Sequence, residues 1–227
     1  MKRGILLLLF VVATIGFIAL GVWQVERRAW KLDLIARVDS RVHASPGPVP
    51  PSSTWSSINA ADDEYRHVEL RGHFLNEQTA FVDTLTDAGH GAWVLTPLVT
   101  NEGTVLVNRG FVPHEHEKDV ARAEGDVSIT GLLRMSEPGG RLLRNNRPQD
   151  DVWYSRDVVA IAAARKLGPV APFFVDADAT PAGHYPVGGP TVIRFRNMHL
   201  VYAITWFALA ALSAAGAVLV LRTNSRG

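Results

Sequence analysis

The stretch Arg194–Leu221 reads RFRNMHLVYAITWFALAALSAAGAVLVL. From Leu200 to Leu221 it carries no charge. A helix rises about 1.5 Å per residue, so a run of this length crosses the roughly 30 Å hydrocarbon layer of a bilayer. A second uncharged run, Gly4–Val22, lies at the other end of the chain. Two terminal transmembrane helices are expected, over about residues 4–22 and about residues 199–221. His199 stands at the mouth of the second, with Arg194 and Arg196 before it. An ionisable ring at that depth is costly unless something partners it.

The first run also has the marks of a cleaved signal peptide: Lys2 and Arg3 ahead of it, and small residues at Ala19 and Gly21. Its length argues for a span instead, continued as helix by Trp30, Leu34, Val38 and Val42 at near-helical spacing. Lys2 and Arg3 at one end and Arg222 and Arg226 at the other favour both ends inside. Arg27, Arg28 and Lys31 oppose that orientation, but long segments translocate largely regardless of charge. The expectation is a two-pass membrane protein with both ends inside and its central domain outside. The chain has no cysteine, which excludes disulfides, thiolate metal sites and thiol catalysis. A net charge of +1 leaves no nucleic-acid footprint.

The proline-rich stretch HASPGPVPPSS, His43–Ser53, reads as a linker. After it come short β-like runs: YRHVELRGHF, TAFVDTL, GAWVLTPLV, GTVLVNRGFV, VSITGLLRM and VWYSRD. Several alternate apolar and polar residues, and turn residues at Asp87–Gly89, Asn101–Gly103 and Gly125–Asp126 separate them. This predicts an antiparallel β-meander or barrel. Asp157 reads as the N-cap of one helix, VVAIAAARKL, stopped by Gly168 and Pro169. APFFVDAD and TVIRF read as two further strands, and 177–189 as Gly/Pro-rich loop. The fold class is a membrane protein: two terminal transmembrane helices flanking an extracytoplasmic α+β domain. The divisions are residues 1–43, 44–193 and 194–227.

GxSxG, P-loop, GxGxxG and HExxH motifs are all missing from the sequence. His114 and His116 form an H-x-H pair that on a strand would point one way and suit copper or zinc; the plainer reading is a polar turn after Pro113. His90, between two glycines, reads as a hairpin-loop residue. Asp62, Asp63 and Glu64 read as a solvated face, and Arg109 as a structural arginine paired with a loop carboxylate. Asn145, Asn146, Trp153 and Asp157 read as turn, core and cap residues. None of this assembles a nucleophile with its base, so no catalytic residues are assigned.

The remaining chemistry lies at the membrane surface. Trp23, Arg27 and Trp30 share one face of the first helix, where tryptophans also serve as plain interfacial anchors. His199, Tyr202 and Trp206 share one face of the second. Ala203 and Ala210 leave that side shallow, with Ala13 and Gly16 of the first helix at similar depth. Small residues there serve tight helix packing, or leave room for a flat aromatic ligand. His199 is then either a hydrogen-bonded interfacial ring or an axial haem ligand. In the second case Arg27, Arg28, Arg194 and Arg196 stand near enough to meet propionates.

The sequence resembles the Surfeit locus protein 1 family over nearly its whole length. The matching pieces are Leu20–Gln24 with Arg27, Trp30 and Lys31; Gly72–Phe74; Val107–Pro113; Asn145–Pro148 followed by Trp153, Tyr154 and Asp157; and Asn197, His199, Leu200, Tyr202, Ala203 and Thr205–Phe207. The family departs from this chain at Met198, where a second asparagine is common. The resemblance implies an assembly factor of a haem-copper terminal oxidase that binds haem a transiently. His199 would ligate the iron, with Tyr202, Trp206, Trp23 and Arg27 around the cofactor. It implies oxidase subunit I, haem a synthase and membrane lipid as partners, and no enzymatic step. The rivals are a scaffold that stabilises subunit I without haem, and a metal-delivery protein using His114 and His116.

Overall fold

The computed structural model describes residues 2–141, 143–179, 184–189 and 197–224. The strand expected at Thr191–Phe195, Arg194 and Arg196 themselves, Arg226, and residues 180–183 of the Gly/Pro-rich loop lie outside the described residues. Its helices are α1 (Lys2–Val42), α2 (Ala60–Asp63), α3 (Val158–Ala164) and α4 (His199–Asn224). Its strands are β1 (Gly47–Pro48), β2 (His67–Phe74), β3 (Ala80–Thr86), β4 (Gly89–Thr100), β5 (Gly103–Pro113), β6 (Asp126–Met135), β7 (Gly140–Arg141), β8 (Arg144–Asn145) and β9 (Val170–Ala177). Contacts divide the chain into two units, Ser40–Ile193 and a second made of Met1–Asp39 with Arg194–Gly227.

In the larger unit five strands close on themselves in the order β2-β6-β9-β5-β4, with β2 and β4 completing the ring. The closed barrel has two additions, β1 beside β2 and β3 beside β4. β4 changes partner along its length: Gly89–Leu95 pairs with β3, and Leu98–Thr100 with β2. Pro97, which cannot donate to a ladder, falls in the gap between the two pairings. Closure also depends on close backbone approach. A Cβ on Gly72 would stand 1.9 Å from the Val99 carbonyl oxygen, and one on Gly131 would stand 2.3 Å from that of Asp176. Both positions join neighbouring barrel strands, and only glycine fits there.

The meander holds for β3, β4 and β5, and β9 departs from it. It lies between β6 and β5, antiparallel to the first and parallel to the second. A parallel neighbour needs a long return, and the chain between β5 and β9, which includes β6 and α3, supplies it. Asp157 caps α3 as its sequence suggests, accepting the Ala160 amide at 3.1 Å, and its other oxygen accepts the Gly139 amide at 3.0 Å. VWYSRD is not a strand. A single bridge joins Trp153 to Val82, and the indole is 1% exposed with its N–H on Asp151 at 2.6 Å. Its bulky residues are there to fill a core, which propensity alone does not distinguish from a sheet. His90 is a second correction. It lies in β4, opposite Leu85, rather than in the hairpin loop, and stays exposed.

Two large apolar clusters result, with a small third of Ala92, Val94 and Val112. Val68, Leu70, Leu98, Val105, Val107, Leu133, Phe173 and Val175 fill the barrel. Val82, Leu95, Leu106, Trp153, Val158, Ile161 and Phe174 form a second layer that includes α3. Alternation along β9 sends Phe173 and Val175 to one layer and Phe174 to the other.

The smaller unit is the pair α1 and α4. Both are long and apolar enough to cross a membrane. Large apolar residues such as Leu8, Leu9, Ile15, Ile204, Leu212 and Leu219 are exposed around both helices. A helix apolar on all sides and exposed is suited to lipid rather than water.

Candidate functional site

α1 and α4 meet along one stripe each. On α4 the stripe is His199, Ala203, Trp206, Ala210 and Ser213; the two alanines and the serine are buried. On α1 it is Gln24, Gly21, Phe17 and Phe10. His199 Nδ1 lies 2.7 Å from Gln24 Oε1. Trp206 stacks on Phe17 with centroids 5.7 Å apart, and Ser213 Oγ donates to the Phe10 carbonyl at 3.0 Å. These three contacts recur at the same heptad step on both helices, in opposite directions. The seam is therefore antiparallel with coiled-coil periodicity. Gly21 lets Phe207 in: a Cβ there would meet its ring at 2.6 Å.

This seam redistributes the residues grouped from sequence. His199 and Trp206 face α1. Tyr202 is 52% exposed and turns away from the seam. Trp23 is 53% exposed, beside the buried Gln24. The Arg27 guanidinium sits 3.9 Å over its own helix neighbour Trp30. The shallow side at Ala203 and Ala210 is covered by α1, so the alanines serve packing. A Cβ on Gly16 would meet nothing within 4 Å, so the close-approach glycine is Gly21. Gln24 lies in the stretch Leu20–Gln24 that carries the family resemblance, but helical spacing gives it no link to His199.

Among the described residues His199 makes no hydrogen bond besides that to Gln24, and none of them meets its Nε2. Two residues earlier, Asn197 Oδ1 is buried without a hydrogen-bond partner. The head of α4 thus holds an oriented imidazole with one uncommitted nitrogen, near an unsatisfied acceptor. The SURF1 family profile matches residues 11–211, which takes in most of α1, the barrel and the first half of α4. The chain belongs to the SURF1 family. It is 38% identical to Surfeit locus protein 1 of Rattus norvegicus, over 90% of this chain and 71% of that protein. It is 36% identical to Surfeit locus protein 1 of Homo sapiens, over 90% and 73%. A SURF1-like protein of Drosophila melanogaster is 32% identical over 92% and 74%.

Elsewhere in this SURF1-family chain the polar groups singled out in the sequence are engaged in local contacts. His114 and His116 lie in a 3-10 turn, His114–Asp119, as the polar-turn reading expects. His114 bridges Glu117 at 2.6 Å and Asp83 at 3.2 Å, and His116 contacts Asp119 at 2.7 Å and stacks on Tyr185. Among the described residues no group of three or more His, Cys, Asp or Glu is placed to hold a metal ion. Arg109 donates to the Ala121 carbonyl at 2.6 Å and lies over Phe74, in place of the expected carboxylate; burial lowers its pKa. The strongest buried charge cluster has no signature in the sequence. Asp176, 2% exposed, accepts from Asn108 at 2.8 Å, Arg134 at 2.9 Å and Arg156 at 3.2 Å. Its four members come from β5, β6, β9 and the segment before α3, and only folding brings them together.

Proposed function

We propose that this chain is an assembly factor of a haem-copper terminal oxidase, which binds haem a through His199 and helps place it in subunit I. The reading rests on family membership and on one observation: a partly buried imidazole at the head of α4, held through Nδ1, with Nε2 uncommitted. His199 Nε2 would hold the iron of haem a, since haem iron binds imidazole nitrogen. The residues fit that task. α1 covers the flank of α4 at Ala203 and Ala210, so a ligand reaches His199 from the open side, where Met198 and Tyr202 are exposed. Tyr202 borders that approach, while Trp206, engaged with Phe17, sets the helix pair that carries the ring. Trp23 and Arg27 act at the lipid boundary. The protein catalyses no bond change; it would receive haem a from haem a synthase and yield it to subunit I.

A bacterial inner membrane with the barrel in the periplasm is the placement proposed with this function; Lys2, Arg3 and Arg222 support its orientation, both ends inside and the barrel outside. Purification in the presence of haem a tests the function. Wild type should carry a low-spin haem a spectrum, and His199→Ala should lose it at unchanged protein yield. His114→Ala with His116→Ala should keep it. Equal haem content in wild type and His199→Ala would refute ligation by His199. The scaffold reading draws on the tight packing of α1 against the alanine flank, and it predicts normal subunit I levels in the His199→Ala strain.

A further inference from the structure

We infer that Gln24 is a positioning residue that fixes the tautomer of His199. The inference rests on the haem a reading for its purpose, but its geometry stands without it. An imidazole offers a lone pair from one nitrogen only when the other carries the proton. Gln24 Oε1, 2.7 Å from Nδ1, accepts a hydrogen bond, so the proton sits on Nδ1 and the lone pair on Nε2. Gln24 is itself 9% exposed and lies in the helix seam, one turn from Gly21, where Phe207 packs against α1. The seam therefore holds the amide, the amide holds the ring, and the ring presents Nε2 on the side away from Gln24. Such outer partners fix the tautomer and the orientation of a ligating imidazole. Free imidazole in water has no such bias toward Nδ1–H, so the pair would convert an ordinary interfacial histidine into a preset ligand.

The test uses the full chain in nanodiscs, labelled with 15N-histidine and first without haem. The His199 signal, identified by its loss in His199→Ala, should show Nδ1 protonated and Nε2 bare. Gln24→Leu keeps the apolar seam but removes the acceptor, and should shift the ring toward the Nε2–H form. Gln24→Glu retains an acceptor and should restore the wild-type pattern. Titration with haem a then reads the consequence: Gln24→Leu should weaken binding about 10–100-fold, the usual cost of losing such a partner, with Gln24→Glu near wild type. A wild-type signal with Nε2 protonated overturns the inference, as does unchanged haem affinity in Gln24→Leu. If the tautomer pattern appears as expected but no variant, wild type included, binds haem a, the haem reading falls and the Gln24 clamp stands.

Discussion

At the scale of single residues, the chemistry is decided by what faces each polar atom. His67 lies between two acceptors, the Ala44 carbonyl at 2.8 Å from Nδ1 and Asp178 Oδ2 at 2.9 Å from Nε2. Only the imidazolium satisfies both. Burial alone would lower its pKa, but the hydrogen bonds and the charge of Asp178 raise it above 6.5. A raised folded-state pKa contributes stability that is full below about pH 6.5 and fades as pH rises through the folded value. The urea midpoint should therefore fall between pH 5.5 and pH 8.5, and His67→Gln should show a smaller fall. His114, also raised by its carboxylates, acts in the same direction and supplies the remainder. Asp176 behaves differently because it neutralises two buried guanidinium groups. Asp176→Ala leaves Arg134 with Glu64 at 3.5 Å and Arg156 with Glu137, and strips Asn108 of its acceptor, so chemical denaturation should show a loss of about 1.5–3 kcal/mol.

Elements owe their positions to a few side chains. α3 is only Val158–Ala164, too short to persist alone, and it is held by its cap and its apolar face. Asp157→Ala should cost about 1 kcal/mol from the lost cap, rising toward 2 kcal/mol because the same carboxylate holds the Gly139 amide. Trp153→Ala opens a cavity in the layer that includes α3, and should cost about 3–5 kcal/mol. α1 and α4 depend on their seam. The chain contains no cysteine, so Phe17→Cys with Trp206→Cys should cross-link in membranes without side reactions. Adding Gly21→Leu, which drives a side chain into Phe207, should lower the cross-linked yield.

For the molecule as a whole, the proposed orientation rests on charge at the ends of two apolar helices and on the long domain joining them. A phosphatase fused near Gly139 should be active and one fused after Gly227 inactive. The reverse pattern would invert that orientation. The barrel itself is closed by β2 meeting β4, so its stability should respond to Gly72→Val more sharply than to Gly125→Val. Gly72 faces the Val99 carbonyl, whereas Gly125 has open space around its Cβ position but a positive φ of 72°. Thermal melts of the two variants check this.

By itself the amino-acid sequence determined the two spans, the β-rich middle and the cap of α3. Each is written in local terms: uncharged length, alternation, or an aspartate before an apolar run. His199 was legible for the same reason, as an ionisable residue where none is expected. Only the tertiary structure decided which strands close the barrel, because β9 finds its place through long-range pairing that leaves no local trace. It also decided the face of α4 that meets α1. Helical spacing groups His199 equally well with Tyr202 or with Ala203, and the choice is made by the partner helix. The link from Gln24 to His199 became visible only once that helix brought its amide to the ring, since a hydrogen bond between residues far apart in the chain has no signature in either segment alone.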